Sequence, residues 1–327
     1  MMSAAKANSL PRHEFAYLIL SHNKPDQLLR LIRTLRVGSP ESAILLHHDA
    51  KSALPDMAVL NEIGGVYLVE PRVSVQWGDA SQVDALLVCI TYAIQNIDFS
   101  WLSVISGQDY PVRPLTDIEA DLRHTPYHAF VKATPVAAGP YRTRYYLQFR
   151  PLPRFRYAYR LPRKMLAAMA WLRRQFNQRQ TLLKIEGGYR GLPTVLGIRS
   201  LKHPFSENFA CYKGSDWFTL SHPVALSLIE FGNQHPEALK YYRQTFMPSE
   251  SYFQTVLWNS KNLNICDDNR RYILWDESRL AHPKTLTVED LDAMTRSGKD
   301  FGRKFDAVVD STVLDELDRR LHSPGQG

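Results

Sequence analysis

The chain has 327 residues, of which 44% are hydrophobic and 11% aromatic, and it carries a formal net charge of +7. This composition supports a real hydrophobic core, and the length is enough for one large α/β domain or two small ones. No run of about 18 apolar residues occurs and the N-terminal stretch lacks the apolar block of a secretory signal, so neither a transmembrane helix nor a leader is expected. The three cysteines, Cys89, Cys211 and Cys266, lie far apart without metal-ligand spacing, which favours a reduced, cytosolic setting.

Strand-like and helix-like segments alternate over the first third of the chain. Residues 15–23 (FAYLILSHN) form an apolar run typical of a strand, and Pro25 and Asp26 then open an amphipathic helix. Two more strand-like runs, residues 42–51 and GVYLVEP, precede a helix in QVDALLVCITYAI and a fourth strand in FSWLSVISGQDYP. This alternation predicts an α/β fold with a mostly parallel, twisted sheet and helices on both faces. Ligands of such folds bind beyond the carboxyl ends of the strands, where the polar clusters SHN, HHD and SGQDYP fall.

Positive charge is concentrated between residues 121 and 186, where 14 lysines and arginines and no acidic residue occur, so the rest of the chain is net acidic. A block this basic is typical of a surface for anions such as phosphate, acidic lipid or acidic glycan. Within it, RKMLAAMAWLRRQF predicts one helix, with Met165, Leu166, Met169 and Leu172 at helical spacing. Two interpretations stay open. The apolar side packs on the protein core, or the helix rests on an anionic membrane that carries a lipid-linked acceptor.

The C-terminal part predicts further helices. GSDWFTLSHPVALSLIEF indicates a strand followed by a helix, ESYFQTVLWNS a helix, and LTVEDLDAMTRS and DSTVLDELDRRL two helices on either side of FGRKFD. We therefore expect a flexible N-terminus over residues 1–14 and a single domain over 15–320 with a basic insert at about 140–193. A flexible tail would follow at 321–327.

Common motifs for nucleotide cofactors and metal ions do not occur in the sequence. GxGxxG, GxxxxGK[ST], HExxH, CxxC and GxSxG are all missing, which weakens dehydrogenase, P-loop and zinc-enzyme interpretations. The D-x-D formed by Asp290 and Asp292 opens a predicted helix, where acidic residues suit the helix dipole. His47 and His48 are neighbours along a strand and would point to opposite faces, so a shared metal is not expected.

Glu250 is the carboxylate that most needs explaining, because it lies between a proline turn and an apolar, aromatic run. Pro248 can end the preceding segment and Ser249 can cap a helix, which would leave Glu250 in the first turn. There it would stabilise the helix dipole by roughly 0.3–1 kcal/mol. The functional interpretation is a general base, which needs cations for a leaving group. Arg303 and Lys304 in FGRKFD could supply them.

Nine segments, in order, make the chain resemble the glycosyltransferase family 14 enzymes, which include the core-2/I-branching β-1,6-N-acetylglucosaminyltransferases and the peptide O-xylosyltransferases. The similarity runs from about residue 15 to residue 317 and is carried by AYLILSH, LLHHDAKS, VQWGDASQVDA, LSVISGQDYPVR, GSDWFTLS, PSESYFQTVLWNS, YILWD, HPKTLTVEDL and FGRKFD. The resemblance implies a GT-A type nucleotide-sugar fold that works without a metal ion or other cofactor. It also implies an inverting transfer of N-acetylglucosamine or xylose from a UDP-sugar to a hydroxyl of a glycan, lipid-linked or peptide acceptor.

The resemblance also implies site residues. Glu250 corresponds to the catalytic base, Lys304 to the lysine that faces the donor diphosphate, and Trp275 to the tryptophan of the acceptor pocket. The second diphosphate cation stays open among three candidates, Arg279, Lys284 and Arg303. The full set of donor candidates adds Ser21, His22, Asp49, Trp77, Gly78 and Asp109, and the acceptor candidates are Trp217, Trp275, Asp276 and Arg144.

Several segments, WGDAS, SGQDYP and ESYFQTVLWNS, are more similar to the xylosyltransferase branch. We expect a bacterial, cytosolic form of the catalytic domain, with possible peripheral contact to the inner face of the cytoplasmic membrane. One alternative is a non-catalytic glycan- or nucleotide-binding module, which the presence of Glu250 and Lys304 disfavours. Another is a nucleic-acid binder that uses the aromatic and basic residues of FRYAYR to stack bases, which the net acidic remainder of the chain disfavours.

Overall fold

The computed structural model describes most of the chain. The described residues are 10–136, 147–151, 163–179, 182–186, 195–275 and 283–322. Three candidate site residues, Arg144, Asp276 and Arg279, lie outside them.

A seven-stranded sheet forms the centre of the described structure. From one edge to the other, its strands are β13 (Ile265–Cys266), β6 (Ala129–Phe130), β12 (Thr219–Ser221), β4 (Asp98–Ser106), β1 (Arg12–Ser21), β2 (Ala43–His48) and β3 (Val66–Leu68). Neighbouring strands pair in parallel except that β12 runs antiparallel to both β4 and β6. The predicted α/β class with a mostly parallel sheet is therefore confirmed.

Helices cover both faces of this sheet, as predicted. The helices are α1 (Pro25–Gly38), α2 (Met57–Ile63), α3 (Ser81–Asn96), α4 (Leu115–His124), α5 (Arg163–Arg179), α6 (His222–Gln234), α7 (Pro236–Tyr242), α8 (Tyr252–Trp258), α9 (Leu291–Thr295) and α10 (Thr312–His322). Alternate residues of β1 belong to two different hydrophobic clusters, Ala16 and Leu18 to one and Tyr17 and Ile19 to the other. The first cluster contains residues of α3, α6 and α8, and the second contains residues of α1, α4 and α10. This is the arrangement that period-2 alternation in a doubly covered strand produces.

Smaller sheets flank the central one. β14 (Arg271–Ile273), β15 (Phe301–Arg303) and β5 (Asp109–Pro111) form one of them, and β11 (Tyr212–Gly214) pairs antiparallel with β7 (Ala133–Pro135). The third contains β8 (Leu147–Pro151), β10 (Val195–Arg199) and β9 (Leu183–Glu186). The predicted basic insert thus leaves the body of the protein between β7 and β11.

The structure corrects one local prediction and extends others. Glu250 is not in the first turn of an α-helix, because it ends a short 3-10 turn over Pro248–Glu250 and α8 begins only at Tyr252. The intervening Ser251 has extended φ, and its hydroxyl donates to the Tyr212 carbonyl at 2.6 Å. That bond draws the chain out of a continuous helix. The short helices α2, α4 and α7 were not predicted.

The D-x-D caps a helix, as the sequence predicts. Thr287 and Asp290 form a reciprocal capping box, and Asp292 lies in the first turn of α9. Among the described residues, no helix is both long and apolar enough to cross a membrane.

Candidate functional site

The carboxyl ends of β1 and β2 bring Ser21 and Asp49 together. The backbone N–H of Asp49 donates to the Ser21 carbonyl at 2.8 Å, and Ser21 Oγ shares a hydrogen bond with His48 Nδ1 at 2.8 Å. The Asp49 carboxylate is buried and accepts from the backbone N–H of Lys51 at 2.8 Å. Two predicted donor-binding residues are therefore neighbours at the edge of the sheet where ligands of such folds bind.

His22 joins the same neighbourhood through its electrostatics. The pKa of His22 is lowered from its usual value, first by desolvation of the ring and then by the positive charges of Lys51 and Arg303. Asp49 opposes the shift. Desolvation and the neighbouring cations thus favour the neutral imidazole, which lies within electrostatic reach of both Asp49 and Arg303.

Arg303 is held in place by three groups. Strand pairing sets it opposite Asp109, and its guanidinium lies 2.6 Å from the Asp109 carboxylate. It also donates to the hydroxyl of Ser106, and it stacks 4.4 Å from the ring centroid of Trp217. Asp109 is completely buried and accepts from the Ser106 backbone N–H at 2.7 Å. Arg303 is therefore a fixed, mostly buried cation, because a planar guanidinium between a carboxylate and an aromatic face has little freedom.

Trp217 supports this cation. Only 8% of Trp217 is exposed, and one of its faces is occupied by Arg303. A sugar ring cannot stack on that face while Arg303 lies there. The contact between Trp217 and an acceptor stays a prediction. It would have to use the edge of the ring that Arg303 leaves uncovered.

Asp216, which the sequence analysis did not single out, lies beside this cluster. Burial raises its pKa, whereas hydrogen bonds from the side chains of Ser249 and Gln82 and the charge of Arg303 lower it. Its Oδ1 atom is buried and has no hydrogen-bond partner within the described part of the chain. An unsatisfied buried carboxylate oxygen is costly, which marks a place where a ligand can donate a hydrogen bond. The available signal was the acidic residue directly before the tryptophan in GSDWFTLS.

The turn that carries Glu250 is tied to the predicted W-G block. The backbone N–H of Met247 donates to the Gly78 carbonyl at 2.8 Å. Gly78 has a φ of +85°, a left-handed conformation that favours glycine. Glu250 is half-buried, and its neighbour Ser249 is the residue that bonds to Asp216. The turn that carries Glu250 therefore also contacts Asp216, through the Ser249 side chain.

Two further predicted donor-binding residues, Lys304 and Trp77, are chain neighbours of residues described above. Lys304 follows Arg303 directly and is half-buried. Trp77 is 37% exposed at the start of the W-G turn. Both take part in interactions within the structure, and their contacts with a donor stay predictions.

Two other predicted site residues, Lys284 and Trp275, have no contact with the Arg303 cluster among the interactions of the described residues. The Lys284 ammonium lies 2.7 Å from Asp290, the residue of the capping box, so its charge is directed at a helix start. Trp275 is 64% exposed and forms a bridge with Pro283. Its contact with an acceptor stays a prediction. Over the described ranges, no group of three or more His, Cys, Asp or Glu side chains is close enough to hold a metal ion.

The comparisons with known proteins agree on one family. The family model "Core-2/I-Branching enzyme" matches residues 15–295. The chain is 26% identical over 325 residues to the xylosyltransferase oxt of Drosophila melanogaster, covering 91% of this chain and 32% of that protein. It is 23% identical over 331 residues to human xylosyltransferase 1, covering 94% of this chain and 30% of that protein.

A third relative has a different named activity. The β-glucuronosyltransferase GlcAT14B of Arabidopsis thaliana is 32% identical over 125 residues, which is 37% of this chain and 28% of that protein. The chain spans less than a third of the length of each of these three curated relatives.

Proposed function

The chain belongs to the Core-2/I-branching enzyme family, and from that premise we propose that it is an inverting, metal-independent glycosyltransferase. It moves a sugar from a UDP-linked donor to a hydroxyl of a glycan, glycoconjugate or peptide. The observation that carries this proposal is the fixed cation Arg303, held between Asp109 and Trp217 at the carboxyl ends of the strands.

In this proposal, Arg303 and Lys304 stabilise the leaving group, UDP. UDP departs slowly until its diphosphate charge is neutralised, and cations that are already in position stabilise the developing charge without reorganisation. Arg303 and its chain neighbour Lys304 supply two such charges. Because Asp109 and Trp217 hold the guanidinium, Arg303 is the best-supported of the three candidates for the second diphosphate cation. Arginine also forms charge-assisted bonds to phosphate oxygens with defined geometry.

In this proposal, Glu250 activates the acceptor hydroxyl. An acceptor hydroxyl has a high pKa, so a positioned carboxylate must take its proton as the oxygen attacks the anomeric carbon. The bond from that carbon to the diphosphate breaks in the same step, and UDP leaves from the opposite face. A single base on the side away from the leaving group gives inversion, as in inverting glycosidases. The turn at Pro248–Glu250, tied to Gly78, keeps Glu250 in place for this role.

Asp216 binds rather than reacts in this proposal. Its buried, unpartnered Oδ1 accepts a hydrogen bond from a hydroxyl of the bound sugar. Asp216→Asn should therefore raise KM for the donor more than it lowers kcat. If instead it abolishes kcat and removes the acidic limb of the pH–rate profile while Glu250→Gln does not, the base is Asp216.

The donor sugar is tested with a panel. The names of the relatives direct the choice to UDP-xylose and UDP-glucuronic acid, and UDP-N-acetylglucosamine is included for the branching enzymes. UDP release is measured with each donor, with and without glycan and peptide acceptors, and the configuration of the product is read by NMR. One α-linked donor should give acceptor-dependent UDP release and a β-linked product. Retained configuration would overturn inversion, and UDP release from none of these donors would overturn the proposed substrate class.

A further inference from the structure

The basic insert and the residues that directly follow it carry an unusual share of exposed apolar side chains. Fifteen large hydrophobic residues are exposed in the described chain, and seven of them lie between residues 163 and 202. These seven are Met165, Met169, Trp171, Leu172, Leu182, Ile198 and Leu201. A cluster of this kind on a protein surface marks a site of interaction with a protein or a membrane.

Three of them form one face of α5. Met165, Met169 and Leu172 follow the spacing i, i+4 and i+7, which aligns them along one side of a helix. They are 52%, 51% and 59% exposed. A different side of the helix is anchored, because the Asn177 amide donates to the Ile185 carbonyl and accepts from the Ile185 N–H, both at 2.8 Å. At these three positions the apolar side does not pack on the protein core, contrary to the first interpretation, and the side chain of Leu166 lies outside the described ones.

Charge identifies the occupant of this face. The stretch from residue 142 to residue 184, which contains α5, has 12 basic residues and no acidic one. A second copy that met this face through a two-fold axis would place like charges against each other. An anionic lipid surface meets both requirements at once, since its headgroups attract the arginines and its acyl boundary accepts methionine, leucine and tryptophan.

The insert is also joined directly to the proposed site. It leaves between β7 and β11, which pair with each other. Gly214, the last residue of β11, packs so closely on the start of β7 that a Cβ atom would lie 1.9 Å from the carbonyl oxygen of Lys132, the residue before that strand. Asp216 follows only two residues later. A surface bound by α5 is thus linked through a tight strand pair to the segment that carries Asp216 and Trp217.

We propose that α5 docks this protein on an anionic lipid bilayer, with Met165, Met169 and Leu172 at the acyl boundary. This inference is independent of the sugar-transfer chemistry, because binding is measured without a donor or an acceptor. If transfer proves different from the proposed function, the docking surface is still tested.

The test is co-sedimentation of the full chain with vesicles of phosphatidylcholine alone and of phosphatidylcholine mixed with phosphatidylglycerol. The wild type should bind the anionic vesicles and not the neutral ones. Binding should weaken strongly at about 1 M salt, where the Debye length falls to about 3 Å. Met169→Gln with Leu172→Gln should lower the partition coefficient at least about tenfold, because two exposed apolar groups lose their burial in the membrane.

Matched control variants distinguish binding through the apolar side of α5 from nonspecific adsorption to vesicles. Leu10→Gln with Val37→Gln changes two comparably exposed apolar residues outside the insert and should leave partitioning unchanged. Arg174→Gln with Arg179→Gln removes two exposed charges of α5 and should weaken anionic binding by about fivefold per charge. Thermal unfolding of each variant checks that the fold is retained.

Three results would overturn the proposal. They are equal partitioning to neutral and anionic vesicles or to neither, wild-type partitioning of the Met169 and Leu172 variant, and a dimer in light scattering that this variant dissociates. The last result would show that a second copy covers the face.

Discussion

The strand-end site and the basic insert both place arginine near tryptophan, and they use these residues in opposite ways. At the site, Arg303 lies between a buried carboxylate and the ring of the mostly buried Trp217. In the insert, Trp171 is 58% exposed, and Arg174, three residues later on the same helix, is exposed as well. The same residue types therefore form a fixed, mostly buried cation in one region and an open surface in the other.

A buried position and a neighbouring carboxylate together fix the orientation of an arginine side chain. Asp109 lies opposite Arg303 through strand pairing and fixes it, whereas residues 122–185 contain no acidic residue that could do the same locally. We expect substitutions at the site to have large, specific effects on chemistry and stability. Substitutions on the exposed face of α5 should change surface binding alone.

The largest effect is expected from Glu250→Gln. The variant should keep the fold and UDP binding but lower the transfer rate by roughly 10²–10⁴-fold, the usual contribution of a general base. Glu230→Gln, at an exposed position of α6, is the matched control. The measurement is the initial rate of transfer to a soluble acceptor.

A double variant in the insert gives a second control for the Glu250→Gln prediction. Met169→Gln with Leu172→Gln should transfer to the soluble acceptor at the wild-type rate, because the face they form is not part of the site. Turnover of Glu250→Gln near the wild-type value would exclude Glu250 as the base.

The next effect concerns stability at the Arg303 cluster. Asp109→Asn should lower the free energy of unfolding by about 3 kcal/mol, because it leaves a mostly buried guanidinium without its counter-charge. Arg123→Gln breaks an exposed pair with Glu14, in which both side chains are more than 40% exposed. It should cost no more than about 1 kcal/mol. Urea unfolding measures both, and equal losses would contradict the distinction between the two environments.

Lys304→Ala should have a smaller effect, on donor binding and transfer together. Removing one charge-assisted contact with a phosphate should raise the Kd for UDP about 10- to 100-fold, and kcat/KM should fall as well because the charge also serves the leaving group. Calorimetric titration with UDP gives the Kd. Lys261→Ala, at an exposed turn, should bind UDP like the wild type, and an unchanged Kd in Lys304→Ala would remove this lysine from the donor site.

The smallest effect is expected from a chelator. If Arg303 and Lys304 neutralise the diphosphate, the transfer rate should be the same with and without EDTA. The assay is repeated after dialysis against EDTA and after addition of Mn²⁺ or Mg²⁺. Loss of activity that either ion restores would replace the proposed cation mechanism with a metal-assisted one.

Much of the fold could be predicted because its signals are local. The continuous apolar run of residues 15–20 indicates a strand that is covered on both faces, and the helical spacing in α1, α3 and α10 is set by which face of each helix must be buried. The short helices α2, α4 and α7 were missed because their apolar patterns are too short to stand out. The turn at Glu250 was assigned to the wrong element, since the hydrogen bond from Ser251 to Tyr212 joins residues 39 positions apart.

The amino-acid pattern alone predicts an α/β chain whose polar clusters follow its strands, and the ordered motifs are enough to identify the family. The pattern also supplied Glu250, Arg303 and Lys304 as residues to examine. Three features follow from tertiary contacts. Asp109 and Trp217 hold Arg303, the buried Oδ1 atom of Asp216 has no hydrogen-bond partner among the described residues, and Lys284 pairs with Asp290. The tertiary structure also decided that the apolar side of α5 faces outward. The reason is that periodicity reports which residues share a face of one element, whereas a counter-charge or a covering surface comes from segments far apart in the chain.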